Sequence, residues 1–242
     1  MSSSESVAAD VGPGAVGGFT TRGGGVSSGV YASLNLGSGV ADDLGAVRRN
    51  RDILGARFGV PIAFLHQVHS ARVAGVDAPP EAGELAVAEA DAAITARTDV
   101  GLAALVADCV PVLLAGEHVV AAVHAGRRGL LSGVLTATLA SMAERGSPAR
   151  YASIGPSICG SCYEVPEQMR AEVARVLPAA SSTTSWGTPA LDLAAGLRAQ
   201  LAQAGVDAVE HHRLCTLEDT RFFSYRRDGV TGRFAGVIAR RG

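Results

Sequence analysis

Short apolar runs dominate this chain, and most of them end at a glycine, a proline or a charged residue. Runs bounded in that way predict short strands. GGFTTR, near the start, predicts a strand followed by a glycine-rich turn, GGGVSSGVY. Residues 62–68 and 72–76 read as strands, the second close to alternation, and a Pro/Gly/Glu loop follows over 78–88. Residues 91–95, 101–107, 110–114 and 119–123 continue as apolar strands, and 152–154, 209–214, 221–225 and 233–239 complete the set. Helical spacing covers 42–58, where Leu44, Val47, Ile53 and Leu54 define one face. It returns over 129–145, stopped by Gly146 and Pro148, over 166–177 with Pro166 near its opening turn, and over 191–204. Strands and helices interleave, and several strands stand too close together for crossover helices. The pattern predicts an α/β fold with a mixed sheet. Residues 1–13, rich in Ser, Gly and Pro, are expected to be a disordered tail, leaving 14–242 as a single domain.

Composition narrows the function classes. The 242 residues suit one large domain or two small ones, and no linker divides them convincingly. No apolar run approaches the ~18 residues of a membrane span, and MSSSESVAAD lacks the basic start and apolar stretch of a secretory signal, so a cytoplasmic location is expected. Lys and Arg number 21 against 23 Asp and Glu, which gives nucleic-acid binding no support. Four cysteines are too few for a disulfide scaffold and read as thiols or ligands.

The candidate chemistry lies at the ends of the apolar runs. GLAALVADCVPVLLAG carries Asp108 and Cys109, HVVAAVHAGRRG carries His124, and HQVHS ends an earlier run with His69. A thiol and an imidazole at the ends of adjacent buried strands can meet. One Cys and two His with an open position form the ligand set of a catalytic zinc site. His66 and His69 would face opposite sides of a strand, so one of them joins the site, and His69 is nearer the strand end. A competing chemistry needs no metal: His124 would deprotonate Cys109 for attack on a carbonyl. His69 discriminates, since only the metal requires it. Asp108 interrupts an apolar run and needs a partner if buried, and Pro111 suits an edge or a strand start. Cys159 and Cys162 form a CxxC that would need partners elsewhere to hold a metal. Cys215 reads as core, His211 and His212 as packing or solvated, and Arg226 to Gly229 as a charged hairpin turn.

The chain resembles the YfiH-like family, also called laccase-domain proteins or peptidoglycan editing factor. The similarity runs in order through FTTRGGGVSSGVYASLNLG, HQVHS, ADAAIT, LVADCVPVLL, VHAGRRG, IGPSICGSCYEV and FFSYRRDGVTGRFAGVI. It implies a four-layer α/β/β/α sandwich with mixed sheets, similar to a Cys–His toxin deamidase, and one zinc held by His69, Cys109 and His124. It implies phosphorolysis of purine nucleosides (adenosine, inosine, guanosine, methylthioadenosine), adenosine deamination, a copper polyphenol oxidase reading, and removal of misincorporated serine from a cell-wall precursor. Where the family has an aromatic residue in HAGW(R/K)G, this chain has Arg127, and Ser70 stands where Gly is usual.

Those activities select further residues. Phosphorolysis needs an anion site. Arg22, beside the glycines at 23–25, is the first phosphate or ribose candidate, and Arg128 near a helix start is the second. Asn35 is a substrate hydrogen-bonding candidate, and Cys162 and Tyr163 are assigned to the pocket rim. Deamination would expect a carboxylate proton shuttle, and no HxE signature is present. Six histidines, two of them adjacent, do not furnish a multicopper complement. The expectation is therefore a zinc-dependent purine nucleoside phosphorylase with adenosine deaminase capacity, working on small molecules as a monomer or small homo-oligomer, without nucleic acid or membrane partners. A Cys109-nucleophile amide hydrolase acting on a UDP-MurNAc-amino acid and a non-catalytic metal-binding domain are the alternatives.

Overall fold

A computed structural model describes residues 6–242 and turns the apolar runs into stacked sheets. The strands are β1 (Ser6–Ala9), β2 (Ala15–Thr20), β3 (Ile62–Ala63), β4 (Leu65–His66), β5 (Val73–Gly75), β6 (Ala88–Glu89), β7 (Ala92–Thr95), β8 (Gly101–Val106), β9 (Val110–Ala115), β10 (Val120–Ala125), β11 (Tyr151–Ile154), β12 (Ser181–Thr183), β13 (Pro189–Leu191), β14 (Ala208–His211) and β15 (Phe234–Arg240). The helices are α1 (Leu44–Phe58), α2 (Arg127–Leu131), α3 (Val134–Glu144), α4 (Glu167–Val176), α5 (Leu193–Gln203) and α6 (Tyr225–Asp228).

One sheet has the order β1-β2-β15-β8-β3 and is antiparallel except where β3 joins β8. A second has the order β14-β11-β9-β10-β7-β5, with parallel pairs at both edges and antiparallel pairs in the centre, and β4 with β6 and β12 with β13 form two-stranded sheets. Strand periodicity divides each run between two cores. Leu113, Val120 and Ala122 meet Phe19, Leu102 and Ile238 between the sheets. Their neighbours Val112, Leu114, Ala121 and Val123 face the helical side with Leu135, Leu197 and Leu201. Leu54 of α1 covers the outer face of the first sheet with Ala103, Ala235 and Val237. Both faces of β9 and β10 are buried, which is why these strands read as continuous apolar runs rather than alternating ones.

Several sequence expectations change. Ser6–Ala9, inside the expected tail, pairs with β2 as an edge strand, because Val7 and Ala9 pack against the core between the sheets. Residues 1–5 of that tail lie outside the described residues. The strand expected over 62–68 divides into β3 and β4. The helix expected over 129–145 starts earlier and divides into α2 and α3 at Gly133, whose φ of 85° is left-handed. The strand expected over 221–225 is absent: Phe222 and Phe223 are buried irregular backbone, and Ser224 caps α6 by accepting a hydrogen bond from the Arg227 N–H. The charged hairpin turn expected after it is that short helix. Pro111, expected at an edge or a strand start, is the second residue of β9, which is a central strand. No helix among the described residues is long and apolar enough to cross a membrane.

Candidate active site

Antiparallel pairing of β9 with β10 sets Val110 opposite Ala125 and Pro111 opposite His124. Cys109, just before β9, therefore meets His124, near the end of β10. On the other side of β10 lies β7, and Asp91 immediately precedes it. Asp91 is 1% exposed, and its carboxylate is fully partnered. Oδ1 accepts from His124 Nδ1 at 2.8 Å and from the His69 N–H at 2.9 Å. Oδ2 accepts from the Ser70 N–H and hydroxyl at 2.6 and 2.7 Å. One carboxylate thus orients both histidines. It fixes the backbone of His69 in a left-handed conformation (φ 61°) and leaves Nε2 of His124 for the site.

His69 is exposed, with Nε2 3.8 Å from Cys109 Sγ. Its ring stands edge-on to that of the buried His124, with centroids 4.7 Å apart. One ligand atom from each of His69, Cys109 and His124 lies within 4.8 Å of the others. A tetrahedral zinc with bonds of about 2.0–2.3 Å separates its ligands by roughly 3.3–3.8 Å, so the three donors suit such an ion after a small closure. Gly126 completes the cradle. A Cβ there would come within 2.7 Å of His69 Cδ2 and 2.9 Å of Cys109 Sγ.

The charges agree with ligand or nucleophile chemistry. Burial pushes the Cys109 thiol up, but His124 and the hydrogen bonds from both histidines outweigh it, so the thiol lies well below its ordinary value. Burial pulls His124 down, and Cys109 and Asp91 reverse that and hold the imidazole above its ordinary value. Burial also opposes the charge of Asp91, yet His124 and Ser70 hold the carboxyl below the usual range.

Asp108 aims the cysteine from the other side. It carries φ 97°, which a non-glycine residue adopts only when held there. The hydroxyls of Thr216 and Ser224 donate to Oδ1 at 2.6 and 2.7 Å, and the Arg226 N–H donates to Oδ2 at 2.6 Å. The Asp108 carbonyl accepts from the Ile158 N–H at 3.0 Å. The partners that a buried carboxylate at this interruption needs are present, and Asp108 anchors three segments.

The remaining predicted residues divide. Tyr163 is half-buried, with the Arg226 guanidinium 5.0 Å over its ring. Burial and the charge of Cys109 raise its phenol, which keeps the O–H protonated beside the site. Arg22 is half-buried, donates through Nε to the Ala32 carbonyl at 2.7 Å and lies 4.7 Å over the Phe223 ring. Arg128 is exposed on the first turn of α2. Asn35, the substrate hydrogen-bonding candidate, is fully buried, and its amide is taken up by Gly37, Asp42 and the Arg233 N–H. Cys162 is buried against Cys159 and Cys215 and lines the cleft beside the site.

Sequence reasoning missed Asp91 and Arg233, whereas Gly126, after His124, reads from sequence as a place where a ligand can approach the backbone. Arg233 is half-buried, and its guanidinium sits in the field of Cys109 and Asp108. Asp91 carried the signal that drew attention to Asp108, a carboxylate at the border of an apolar strand. Beside the site a cleft of about 570 Å³ is lined by Cys162, Glu164, Trp186, Thr188, Leu217 and Arg226.

A family model described as multi-copper polyphenol oxidoreductase laccase matches residues 16–241. The chain is 53% identical over 228 residues to a purine nucleoside phosphorylase of Streptomyces coelicolor, covering 91% of this chain and 93% of that protein. It is 48% identical to a purine nucleoside phosphorylase of Streptomyces griseus, covering 91% and 92%. Among solved structures, the Bacillus licheniformis protein YfiH superposes with a TM-score of 0.85 at 32% identity, covering 94% of this chain and 93% of that one.

Proposed function

The chain belongs to the multi-copper polyphenol oxidoreductase laccase family, the group its motifs resemble, and from that membership we propose that it is a purine nucleoside phosphorylase. The observation that carries the reading is the 53% identity, spread over 91% of the chain, to a relative named for that activity. The oxidase in the family's description is not the reading we favour. Among the described residues a single histidine-containing cluster assembles, where multicopper chemistry would need several.

The site residues fit a zinc ion, which His69, Cys109 and His124 would hold. When bound, it supplies a Lewis acid at the mouth of the cradle. The protein does the rest. A phosphate oxygen forms a bond to C1′ of the ribose as the bond from C1′ to the purine nitrogen breaks. Arg233, Arg22 and Arg128 supply the positive charge that collects and orients the phosphate. Tyr163, kept protonated by its surroundings, donates the proton that the departing purine takes up. Asp91 keeps His124 in one tautomer throughout. Adenosine, inosine, guanosine and methylthioadenosine are the substrates we assign. Adenosine deamination ranks second, because the two carboxylates beside the cluster, Asp91 and Asp108, are both occupied by hydrogen bonds that leave no shuttle.

One observation favours a reading of another class. Asp91, His124 and Cys109 are joined in the order of an acid–base–nucleophile relay. That arrangement, and the likeness to a Cys–His toxin deamidase that the resemblance implies, suit a thiol hydrolase acting on a UDP-MurNAc-amino acid.

Purified protein incubated with adenosine and inorganic phosphate is expected to release adenine and ribose 1-phosphate in equal amounts. Folded, zinc-loaded protein that releases neither overturns the phosphorylase reading, and amide cleavage by a His69→Ala variant would favour the hydrolase.

A further inference from the structure

Three of the chain's four cysteines take no part in the chemistry above. Cys159, Cys162 and Cys215 are free thiols. With Glu218 they offer three sulfurs and a carboxylate oxygen that all lie within 4.8 Å of one another. Two turns of the same design bring them there. In the first, the N–H groups of Cys162 and Tyr163 donate to the Cys159 carbonyl at 3.0 and 2.9 Å. In the second, the Asp219 N–H donates to the Cys215 carbonyl at 2.9 Å. Each turn presents donors at positions i and i+3, Cys159 with Cys162 and Cys215 with Glu218. A parallel bridge between Ser157 and Cys215 sets the turns face to face. The partners that the CxxC lacked in sequence are thus supplied by a segment 56 residues away.

We propose that Cys159, Cys162, Cys215 and Glu218 bind one zinc ion as a structural clip, separate from the His69–Cys109–His124 centre. Thiolates select a soft or borderline cation over magnesium or calcium, and four protein donors close a tetrahedral shell. Binding sends the three thiol protons to solvent and leaves each sulfur as a zinc-bound thiolate. The surroundings suit that charge. The Cys159 N–H already donates to Cys215 Sγ at 3.4 Å, and the Arg227 guanidinium donates to the Thr216 carbonyl at 2.7 Å inside the second turn. Cys162 and Cys215 are 4% and 6% exposed, while Glu218 is exposed and gives the ion a way in.

The clip has a mechanical consequence for the first centre. Tyr163 follows Cys162 directly, and Thr216, next to Cys215, donates to the carboxylate of Asp108. An ion here locks both turns against the residue that aims Cys109.

Zinc content per chain tests this, with the full-length protein purified under reducing conditions. A chain carrying His69→Ala, Cys109→Ala and His124→Ala together is expected to retain one zinc, and adding Cys159→Ser and Cys215→Ser is expected to remove it. Loss of all zinc from the triple variant overturns the proposal, whatever the activity of the wild type. Should the serine variants fail to fold, cobalt(II) added to the zinc-stripped triple variant decides. A thiolate-to-cobalt absorption with tetrahedral bands supports the clip, and their absence overturns it. A disulfide among these cysteines in the reduced-purified, metal-free protein also overturns it.

Discussion

The side-chain oxygen of Asn35 accepts a hydrogen bond from the backbone N–H of Arg233 at 2.8 Å, across 198 residues of sequence. The same oxygen accepts from the Gly37 N–H at 3.0 Å. A residue that the sequence assigned to substrate instead supports the backbone at Arg233, whose guanidinium lies in the field of Cys109 and Asp108. Asn35→Leu leaves both N–H groups buried without a partner, each costing about 1–3 kcal/mol. Urea unfolding should show a midpoint lowered accordingly. Arg233→Ala should instead raise the KM for phosphate with a smaller effect on stability. A stable Asn35→Leu protein with a raised KM would return Asn35 to the substrate.

Gly126→Ala puts a methyl group where His69 and Cys109 converge. The strands beneath are untouched, so far-ultraviolet circular dichroism should match the wild type while zinc content at the centre and phosphorolysis are lost together. Full zinc occupancy in this variant would mean that the three side chains do not share an ion.

Asp91→Asn keeps the shape and removes the charge that orients His124. Loss of such a partner lowers metal affinity by about 10–100-fold. Competition with a chromophoric chelator measures it. Unchanged affinity would reduce Asp91 to a packing role.

The acid limb of stability should report the same residue. Against the pull of burial, His124 and Ser70 hold the Asp91 carboxyl below the usual range. A group lowered in the folded state binds protons more readily in the unfolded one. Its stabilisation is therefore complete above about pH 4 and is lost as pH falls further. Melting temperatures of the zinc-free protein measured between pH 7 and 3 should drop below that point, and Asp91→Asn should flatten the drop.

Leu113 is fully buried between the sheets, on the strand that presents Cys109. Leu113→Ala should cost about 2–5 kcal/mol of stability, read from denaturant midpoints, while zinc content per folded chain stays unchanged.

Much of the fold was legible because strands buried on both faces leave unbroken apolar runs, and β8, β9 and β10 fall close to where those runs predict them. Residues 221–225 misled for the same reason: Phe222 and Phe223 are apolar because they plug a core, not because they pair. The chemistry at strand ends was legible from residue type, since Cys109 and His124 interrupt or end apolar runs. Asp91 was not, because its role depends on a β7–β10 pairing that no local pattern declares. The cysteine cluster was hidden by the same non-locality. Cys215 looks like core until the bridge to Ser157 brings it to Cys159.

The left-handed backbone of Asp108 is secured by hydroxyls and an amide from segments late in the chain, whereas Asp91 secures the histidines from within the central sheet. The cysteine and the histidines are thus aimed from different stretches of the polypeptide, so a change in the late loops reaches the thiol without passing through the carboxylate that orients the imidazoles.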